Sequence, residues 1–394
     1  MSILLVEDSP SLLFRLSMLL NQFGYQVITA EDGQQAWEIL QQRDDIHLVL
    51  TDWKMPHMDG LQLCQAIRQA PSSHYIYIIL LTSKDDKTDV VAGMEAGADD
   101  YLTKPVNNNE LRVRLNAGQR ILKLEQTLAE HNNKLQSAYK QISQDLQFAA
   151  KMQQALLPPS GTLTGIKFDW LFRPSHFVAG DMFNFFELDE QYVAFYQLDV
   201  SGHGVGPALL SFTLYHHITN QPRQAGLLMQ PQGEGYQPIP PQDVLYKLNN
   251  YFQNYADSSL YFTIIYGYLH KPTGELQLAQ AGHPNPIYLS HASRLARKCG
   301  EGGFPVGMLP NIDYDNVTLH LQPGDRLFIY SDGITECMNQ DNSCFSEDRL
   351  IALLENTQDQ PLAKVLQQIG NTLQEWHAQE LFDDDITLLA MERV

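Results

Sequence analysis

Basic residues are scarce in this chain. Only 26 Lys and Arg stand against 46 Asp and Glu over 394 residues, giving a formal net charge of −20. A nucleic-acid surface needs a basic patch or stripe to neutralise phosphates, so that class of function is excluded, and no helix-turn-helix pattern is present either. A basic or neutral protein is the better partner for such a chain. Cysteine is scarcer still: Cys64, Cys299, Cys337 and Cys344 show no C-x-x-C spacing, which excludes a zinc site or a disulfide framework and leaves ordinary packed thiols. None is followed six residues later by Arg, so cysteine-based covalent phosphate chemistry is excluded too. Long apolar runs are missing. Nothing approaches the roughly 18 uninterrupted apolar residues of a membrane span, and Ile3-Leu4-Leu5-Val6 follows Met1 and Ser2 without a basic n-region or long apolar h-region. The expectation is a cytoplasmic protein that neither crosses nor binds a membrane.

What is present is an ordinary globular balance, 44% hydrophobic and 18% charged. The length exceeds one ordinary core, so two domains and a connector are expected, with boundaries at 1–120, 121–157 and 158–394. In the first part, Ile3-Leu4-Leu5-Val6-Glu7-Asp8 and Leu48-Val49-Leu50-Thr51-Asp52 read as strands ending in acids. Between them Ser11 to Phe23 has helical spacing at Leu12, Leu16, Leu19 and Leu20, Tyr25 to Ile28 reads as a strand, and Gln34 to Gln42 as a helix. Ile76 to Thr82 and Asp100 to Pro105 complete five β/α repeats, which predicts an α/β fold with a doubly wound parallel sheet and functional groups at the strands' C-terminal edge.

The edge residues are Glu7, Asp8, Asp52, Thr82 and Lys104. Three acids suit one divalent ion. Asp52 is then a carboxylate nucleophile toward a phosphoryl group, Thr82 a hydrogen-bond donor to the new oxygens, and Lys104 a point charge that neutralises them. With Asp52-Trp53-Lys54-Met55-Pro56-His57-Met58-Asp59-Gly60 and Thr103-Lys104-Pro105, the segment resembles the CheY-like receiver domain of two-component response regulators. The resemblance implies Mg²⁺ at the acids, an aromatic switch at Tyr101, a cis Lys104-Pro105 bond and a histidine kinase as partner.

From Gln119 to Leu156 there is no Gly, no Pro and no strand signal. Alternating three and four spacing picks out Ile121, Leu124, Leu128, His131, Leu135, Ala138, Ile142, Asp145, Ala149, Met152 and Leu156, a heptad seam with two polar interruptions. Two readings stand: a parallel two-stranded coiled coil that makes a homodimer, or a single helix lying along its own domains. Pro158-Pro159 ends the helix.

The second part is organised around Gln197-Leu198-Asp199-Val200-Ser201-Gly202-His203-Gly204-Val205-Gly206-Pro207, where an apolar strand delivers Asp199 to a turn whose three glycines permit positive φ and close backbone approach. Strand-then-acid recurs at Gly180-Asp181, Ser331-Asp332-Gly333 and Asp383-Asp384-Asp385. Carboxylates brought together repel and resist desolvation unless a cation compensates, and oxygen-only ligands suit Mg²⁺ or Mn²⁺. These motifs, with Phe262-Thr263, Ala281-Gly282-His283-Pro284, Pro323-Gly324-Asp325 and Asp384-Asp385-Ile386-Thr387, resemble in their order the PPM-type serine/threonine phosphatases, and more narrowly the SpoIIE/RsbU branch. The resemblance covers roughly Ala150 to the C-terminus.

It implies an α/β sandwich of two packed sheets, and two divalent ions bridged by Asp199 with Asp181, Asp332, Asp384 and the Val200 carbonyl completing the shell. By the same resemblance, a hydroxide formed there would attack phosphorus in line. It also implies a phosphorylated STAS-type anti-sigma-factor antagonist as substrate. Where many relatives carry a second Asp three residues after the Gly-Asp, this chain has Asn184. Asn184 is the one feature that favours an inactive, partner-binding second domain over an enzyme. His203 and His283 are left out of the catalytic set, and Gln221 to Gln242, rich in Pro, Gln and Gly, reads as an irregular flap.

Overall fold

The structure, a computed structural model, describes residues 1–70, 74–83, 87–219, 226–233, 235–253 and 260–394, with the backbone alone at 87–90. It forms two compact units, Met1–Gln141 and Ile142–Val394.

In the first unit β1 (Ser2–Val6), α1 (Pro10–Gln22), β2 (Gln26–Ala30), α2 (Gly33–Gln42), β3 (Ile46–Asp52), α3 (Gly60–Gln69), β4 (Tyr77–Ser83), α4 (Lys87–Glu95) and β5 (Asp100–Lys104) alternate as the sequence pattern requires. The strands pair in the order β2-β1-β3-β4-β5, all parallel. Local signals start the helices. Asp32 accepts from the Gln35 amide at 2.8 Å at the head of α2, and Asp59 and Gln62 form a reciprocal capping box on α3. Each face of the sheet carries its own apolar layer: Ile3, Leu5, Leu48 and Leu50 on one side, Leu4, Val6, Val49 and Leu80 on the other. Burial on both faces is why the strands read as unbroken apolar runs. α5 (Asn108–Leu156) is one helix of 49 residues. Along it Ile121, Leu124, Leu128, Leu135, Ile142 and Met152 are exposed.

The second unit begins with the hairpin β6 (Gly161–Leu163) and β7 (Ile166–Arg173), followed by β8 (Met182–Glu187), β9 (Tyr192–Val200), α6 (Val205–Thr219), β10 (Met229–Gln232), β11 (Gly235–Pro238) and α7 (Pro241–Gln253). Then come β12 (Phe262–His270), β13 (Glu275–Ala281), β14 (Ile287–Leu289), β15 (Ala296–Lys298), β16 (Asn316–His320), β17 (Arg326–Tyr330), α8 (Asp332–Thr335), α9 (Glu347–Asn356), α10 (Leu362–His377) and β18 (Ile386–Arg393). Two antiparallel sheets result, β16-β13-β12-β9-β8 and β15-β14-β17-β18-β7-β6. Their inner faces share one core, with Val193, Phe195 and Ile265 from the first sheet and Phe168, Ile329 and Leu389 from the second. Helices α6 and α7 cover the first sheet, while α9 and α10 pack against the second through Leu350, Val365, Ile369 and Leu388. The layers are α/β/β/α.

Three expectations are corrected. Part of the irregular flap is paired, β10 against β11, with Met229 and, just past β11, Ile239 buried; 221–225 and 234 of the expected flap lie outside the described residues. Gly206 does not serve the turn but lies inside α6, whereas Gly202 and Gly204 take φ of 87° and 96°. Cys344 is exposed, unlike the other three cysteines.

Candidate functional site

At the C-terminal edge of the parallel sheet, β1 delivers Glu7 and Asp8, and β3 delivers Asp52. One carboxylate oxygen from each lies within 4.8 Å of the others, with Glu7 and Asp52 buried and Asp8 exposed. Lys104, at the end of β5, reaches across with Nζ 2.7 Å from Asp52 and 2.9 Å from Glu7. Burial pushes the Glu7 carboxyl up, and Lys104 offsets this only in part. Burial is also the largest influence on Lys104, pulling it down, but its bonds to the two acids prevail and its pKa is raised. The second oxygen of Asp52 accepts from the Trp53 amide at 2.8 Å. Thr82 is buried at the end of β4, and Tyr101 is half-buried against the apolar layer that includes Trp53. Lys104-Pro105 is cis. Gly60 lies so close to the Asp52 carbonyl that a Cβ would sit 2.2 Å from it, which accounts for glycine there.

In the second unit the four acids come from four strand ends. Asp181 immediately precedes β8, Asp199 is the penultimate residue of β9, Asp332 opens α8 just after β17, and Asp384 stands two residues before β18. Asp199 faces Thr263 across the β9–β12 pair. Burial first, then repulsion from Asp199 and Asp385, pushes the Asp181 pKa well up. Asp199 is raised in the same way by burial and by Asp332, Asp384 and Asp385. Asp332, half-buried, is raised by desolvation and by Glu336; Asp384, though exposed at its surface, is raised by the desolvation its neighbours impose and by Asp332 and Asp385. Both carboxylate oxygens of Asp181, and Oδ1 of Asp332, are buried without a hydrogen-bond partner among the described residues. The Thr387 and Ser331 hydroxyls are near enough to temper Asp181's rise but do not bond to it. Orphaned carboxylate oxygens in a mutually repelling cluster fit divalent cations. Among the described residues no three of these acids bring one oxygen each within 4.8 Å of one another, as Glu7, Asp8 and Asp52 do.

The two histidines differ. His283 is fully buried, its Nδ1 paired at 2.8 Å with the Thr263 hydroxyl and its pKa pulled down to about 3 by burial, so it is neutral. His203 is exposed, stacks on His176 with ring centroids 4.6 Å apart, and lies close enough to Asp384 to influence it.

Residues 189–394, just over half of the chain, match the family described as Stage II sporulation protein E (SpoIIE). The chain belongs to the SpoIIE family. Residues 3–116 match the response regulator receiver domain. Over 116 residues the chain is 32% identical to the chemotaxis protein CheY homolog of Campylobacter jejuni, covering 29% of this chain and 89% of that one. Over 115 residues it is 44% identical to the transcriptional regulatory protein CpxR of Escherichia coli K12, covering 29% of this chain but only 47% of that protein. The chain thus spans about half the length of the CpxR relatives it matches. Among solved structures, the SiaA-PP2C domain of Pseudomonas aeruginosa matches with a TM-score of 0.54 at 19% identity, over 65% of this chain and 98% of that one, a likeness of fold. The architecture is therefore a receiver followed by a PPM/SpoIIE phosphatase domain. Both families depend on divalent metal in general. Among the described residues no helix is long and apolar enough to cross a membrane.

Around the SpoIIE-family acids stand residues to which sequence reasoning gave no role of their own. Asp385 is buried and accepts from the Ser175 amide at 2.8 Å, the Ser175 hydroxyl at 2.9 Å and the Gly180 amide at 2.8 Å, holding the Asp181 segment from below. Gln197, fully buried, spans the two sheets: it donates to the Ile329 carbonyl and accepts from the Ser331 amide, each at 3.0 Å, when its amide is oriented to satisfy both. Gly333 approaches the Asp385 carbonyl so closely that a Cβ would sit 2.2 Å away, fixing the Asp332 turn against the Asp384 turn. Asn184 points to the other side. Its amide donates to Thr219 at 3.3 Å, Tyr196 meets the same hydroxyl at 3.2 Å, and the residue thereby ties β8 to the end of α6. In this SpoIIE-family chain Asn184 has a structural role, and its presence does not count against a working acid cluster.

Proposed function

We propose that this protein is a response regulator whose output is hydrolysis of phosphoserine or phosphothreonine on a partner protein. One observation carries the reading: Asp181, Asp199, Asp332 and Asp384 come from four strand ends into an anionic cluster that runs from buried Asp181 through half-buried Asp199 and Asp332 to exposed Asp384, with orphaned oxygens on Asp181 and Asp332. These four carboxylates and the Val200 carbonyl would hold two divalent ions, Mn²⁺ or Mg²⁺, which when bound would supply a water of lowered pKa and neutralise the phosphoryl oxygens. The chain's own contribution is preorganisation. Asp385, Gln197 and the close Gly333–Asp385 approach fix the acids against their mutual repulsion, so little reorganisation is needed when the substrate arrives. His283, neutral and bonded to Thr263, orders the wall beside Asp199 and carries no charge into it.

In the receiver, Asp52 accepts a phosphoryl group from a histidine kinase, with Glu7 and Asp8 completing a Mg²⁺ site. Lys104 neutralises the added oxygens, Thr82 donates to them, and Tyr101 follows that change. Residues 1–120 act as the receiver, 121–157 as the linker and 158–394 as the phosphatase. The exposed Ile121, Leu124, Leu128, Leu135, Ile142 and Met152 on α5 support a homodimer through a parallel coiled coil. The substrate is a phosphorylated STAS-type anti-sigma-factor antagonist in a cytoplasmic partner-switching circuit, as the SpoIIE and RsbU resemblance supports.

The test is direct. Purified protein with Mn²⁺ releases phosphate from a phosphoserine protein, a chelator stops it, and Asp199→Asn abolishes it with an unchanged circular-dichroism spectrum. A metal-independent rate, or turnover by Asp199→Asn near wild type at saturating Mn²⁺, sinks the reading.

A further inference from the structure

Beside the acid cluster the second unit holds a cavity of about 200 Å³. Its floor is buried and made by Cys337, His377 and Phe382, while Glu336, Asp383 and Asp384 stand exposed at its mouth. His377 and Phe382 stack with ring centroids 5.2 Å apart. Burial, then Asp383 and Cys344, pushes the Cys337 thiol up to about 11, so the floor presents a neutral thiol and neither a nucleophile nor a metal ligand. The walls are fixed by the end of α10: the Trp376 indole donates to the Cys337 carbonyl at 3.0 Å, and the two ring nitrogens of His377 lie 2.9 Å and 2.8 Å from the carbonyls of Met338 and Leu381. The cavity is therefore preformed.

Two acids at the mouth have no task in the cluster. Glu336 caps the end of α8, the short helix that Asp332 opens, and Asp383 immediately precedes Asp384. Among the described residues neither side chain accepts a hydrogen bond or pairs with a cation. Nor do Glu336, Asp383 and Asp384 bring one oxygen each within 4.8 Å of one another, so the mouth is not a single-ion trio. Two divalent ions would balance the four carboxylates of the cluster, which leaves Glu336 and Asp383 as uncompensated negative charge. An apolar floor under an acidic mouth fits a cation carried on an apolar stem, the build of lysine and arginine. The volume lies below the roughly 300–1,000 Å³ of a small-molecule site, so the occupant is a side chain rather than a cofactor.

We infer that this cavity is a specificity subsite that takes the arginine or lysine side chain of a residue close to the phosphoserine of the substrate. Asp384 belongs both to the cluster and to the cavity mouth, so a phosphoserine at the cluster brings its chain neighbours to that mouth. At roughly 3.3 Å per extended residue, the cation lies within about three positions of the phosphoserine. The arginine fork can address Glu336 and Asp383 together while its stem covers Phe382. A chain of net charge −20 thus meets its partner through a local charge pair next to the chemistry. This inference rests on the phosphatase reading and names a feature of the substrate that the site selects.

The experiment uses the full-length protein with Mn²⁺ and a set of phosphoserine peptides. Each carries arginine, lysine, neutral citrulline or glutamate at one of the three positions on either side of the phosphoserine, in an alanine background. p-Nitrophenyl phosphate, which has no side chain to offer, reads the acid cluster alone. At one position the arginine or lysine peptide should exceed its citrulline counterpart about tenfold in kcat/KM, with glutamate lower still. The difference should lie in KM with kcat unchanged, as for binding felt equally before and during reaction. Glu336→Gln and Asp383→Asn should each cut the preference to about threefold and together remove it, while turnover of p-nitrophenyl phosphate stays at the wild-type level. A preference that survives the double substitution overturns the inference. So does the loss of one bound Mn²⁺ from Asp383→Asn in titration calorimetry, which would assign these acids to metal. Turnover of p-nitrophenyl phosphate by the wild type without any cation preference among the peptides refutes this inference alone, whereas no turnover of p-nitrophenyl phosphate or of any peptide refutes the phosphatase reading beneath it.

Discussion

Replacing Asp385 by Ala removes the acceptor for three buried hydrogen bonds at once. The Ser175 hydroxyl can turn to another partner, since Nδ1 of His176 is 3.2 Å away, but the Ser175 and Gly180 amides cannot. A buried donor left without an acceptor costs about 1–3 kcal/mol, so the pair costs about 4 kcal/mol. In a unit of roughly 250 residues each kcal/mol lowers the midpoint by about 2–4 °C, which places the expected drop near 10 °C. Asp385→Asn retains one carbonyl acceptor but turns an NH₂ toward the other donor, so about half that drop is expected. The loss in metal affinity should be larger than stability alone explains, because the freed segment carries Asp181: at least about tenfold in Mn²⁺ dissociation constant for Asp385→Ala, measured by calorimetry well below the variant's midpoint. Differential scanning calorimetry supplies the midpoint on the same samples. A midpoint within about 2 °C of wild type would show that the three bonds contribute little. A large drop with unchanged Mn²⁺ affinity would show that the Asp181 segment holds its place without Asp385. Either result refutes the reasoning.

In the receiver, acetyl phosphate with Mg²⁺ should add one phosphoryl group, seen by intact-mass spectrometry, and Asp52→Asn should remove it; an undiminished adduct on the variant rules Asp52 out as acceptor. Because burial and mutual repulsion raise the carboxyls of Asp181, Asp199, Asp332 and Asp384, the metal-free fold gains stability while they are protonated. That gain is complete below the ordinary aspartate value of about 3.9 and disappears as pH rises through the raised values. Mn²⁺ binds the ionised forms, so the thermal shift it produces should grow with pH, reaching about 5 °C per ion at 100 times its dissociation constant, from about 2.7 kcal/mol of linkage. A shift larger at pH 5 than at pH 8 contradicts this. For the linker, inserting four residues after Gln136 breaks the heptad phase and should uncouple activity from acetyl phosphate, whereas inserting seven preserves it; equal coupling in both, or a monomer by light scattering, argues for another route.

The receiver was almost wholly legible from the sequence because a parallel sheet buried on both faces writes itself as apolar runs, and its functional groups fall at fixed strand ends. Glu7, Asp8, Asp52, Thr82 and Lys104 could be named in order, but that Lys104 bridges Glu7 and Asp52 follows only from β5 lying two strands away from β3. In the second domain the four acids announced themselves by recurrence. β7 did not, although Ile166, Phe168, Trp170 and Phe172 keep a period of two; Lys167, Asp169 and Arg173 diluted the signal, and the strand's identity comes from pairing with β18 along its whole length. Asn184 looked from its position like a lost ligand. The pleat turns it away from the acids toward Thr219, because alternate residues of a strand face opposite sides. Asp385 stood in a motif, yet its role was not legible for a different reason: Gly180, whose amide it accepts from, stands 205 residues away, and no local pattern records a bond whose two ends meet only when the sheets close. Sequence determined which residues carry chemistry; tertiary structure decided which residues hold them in place, since that task falls to whatever polar group the packing brings within hydrogen-bonding distance.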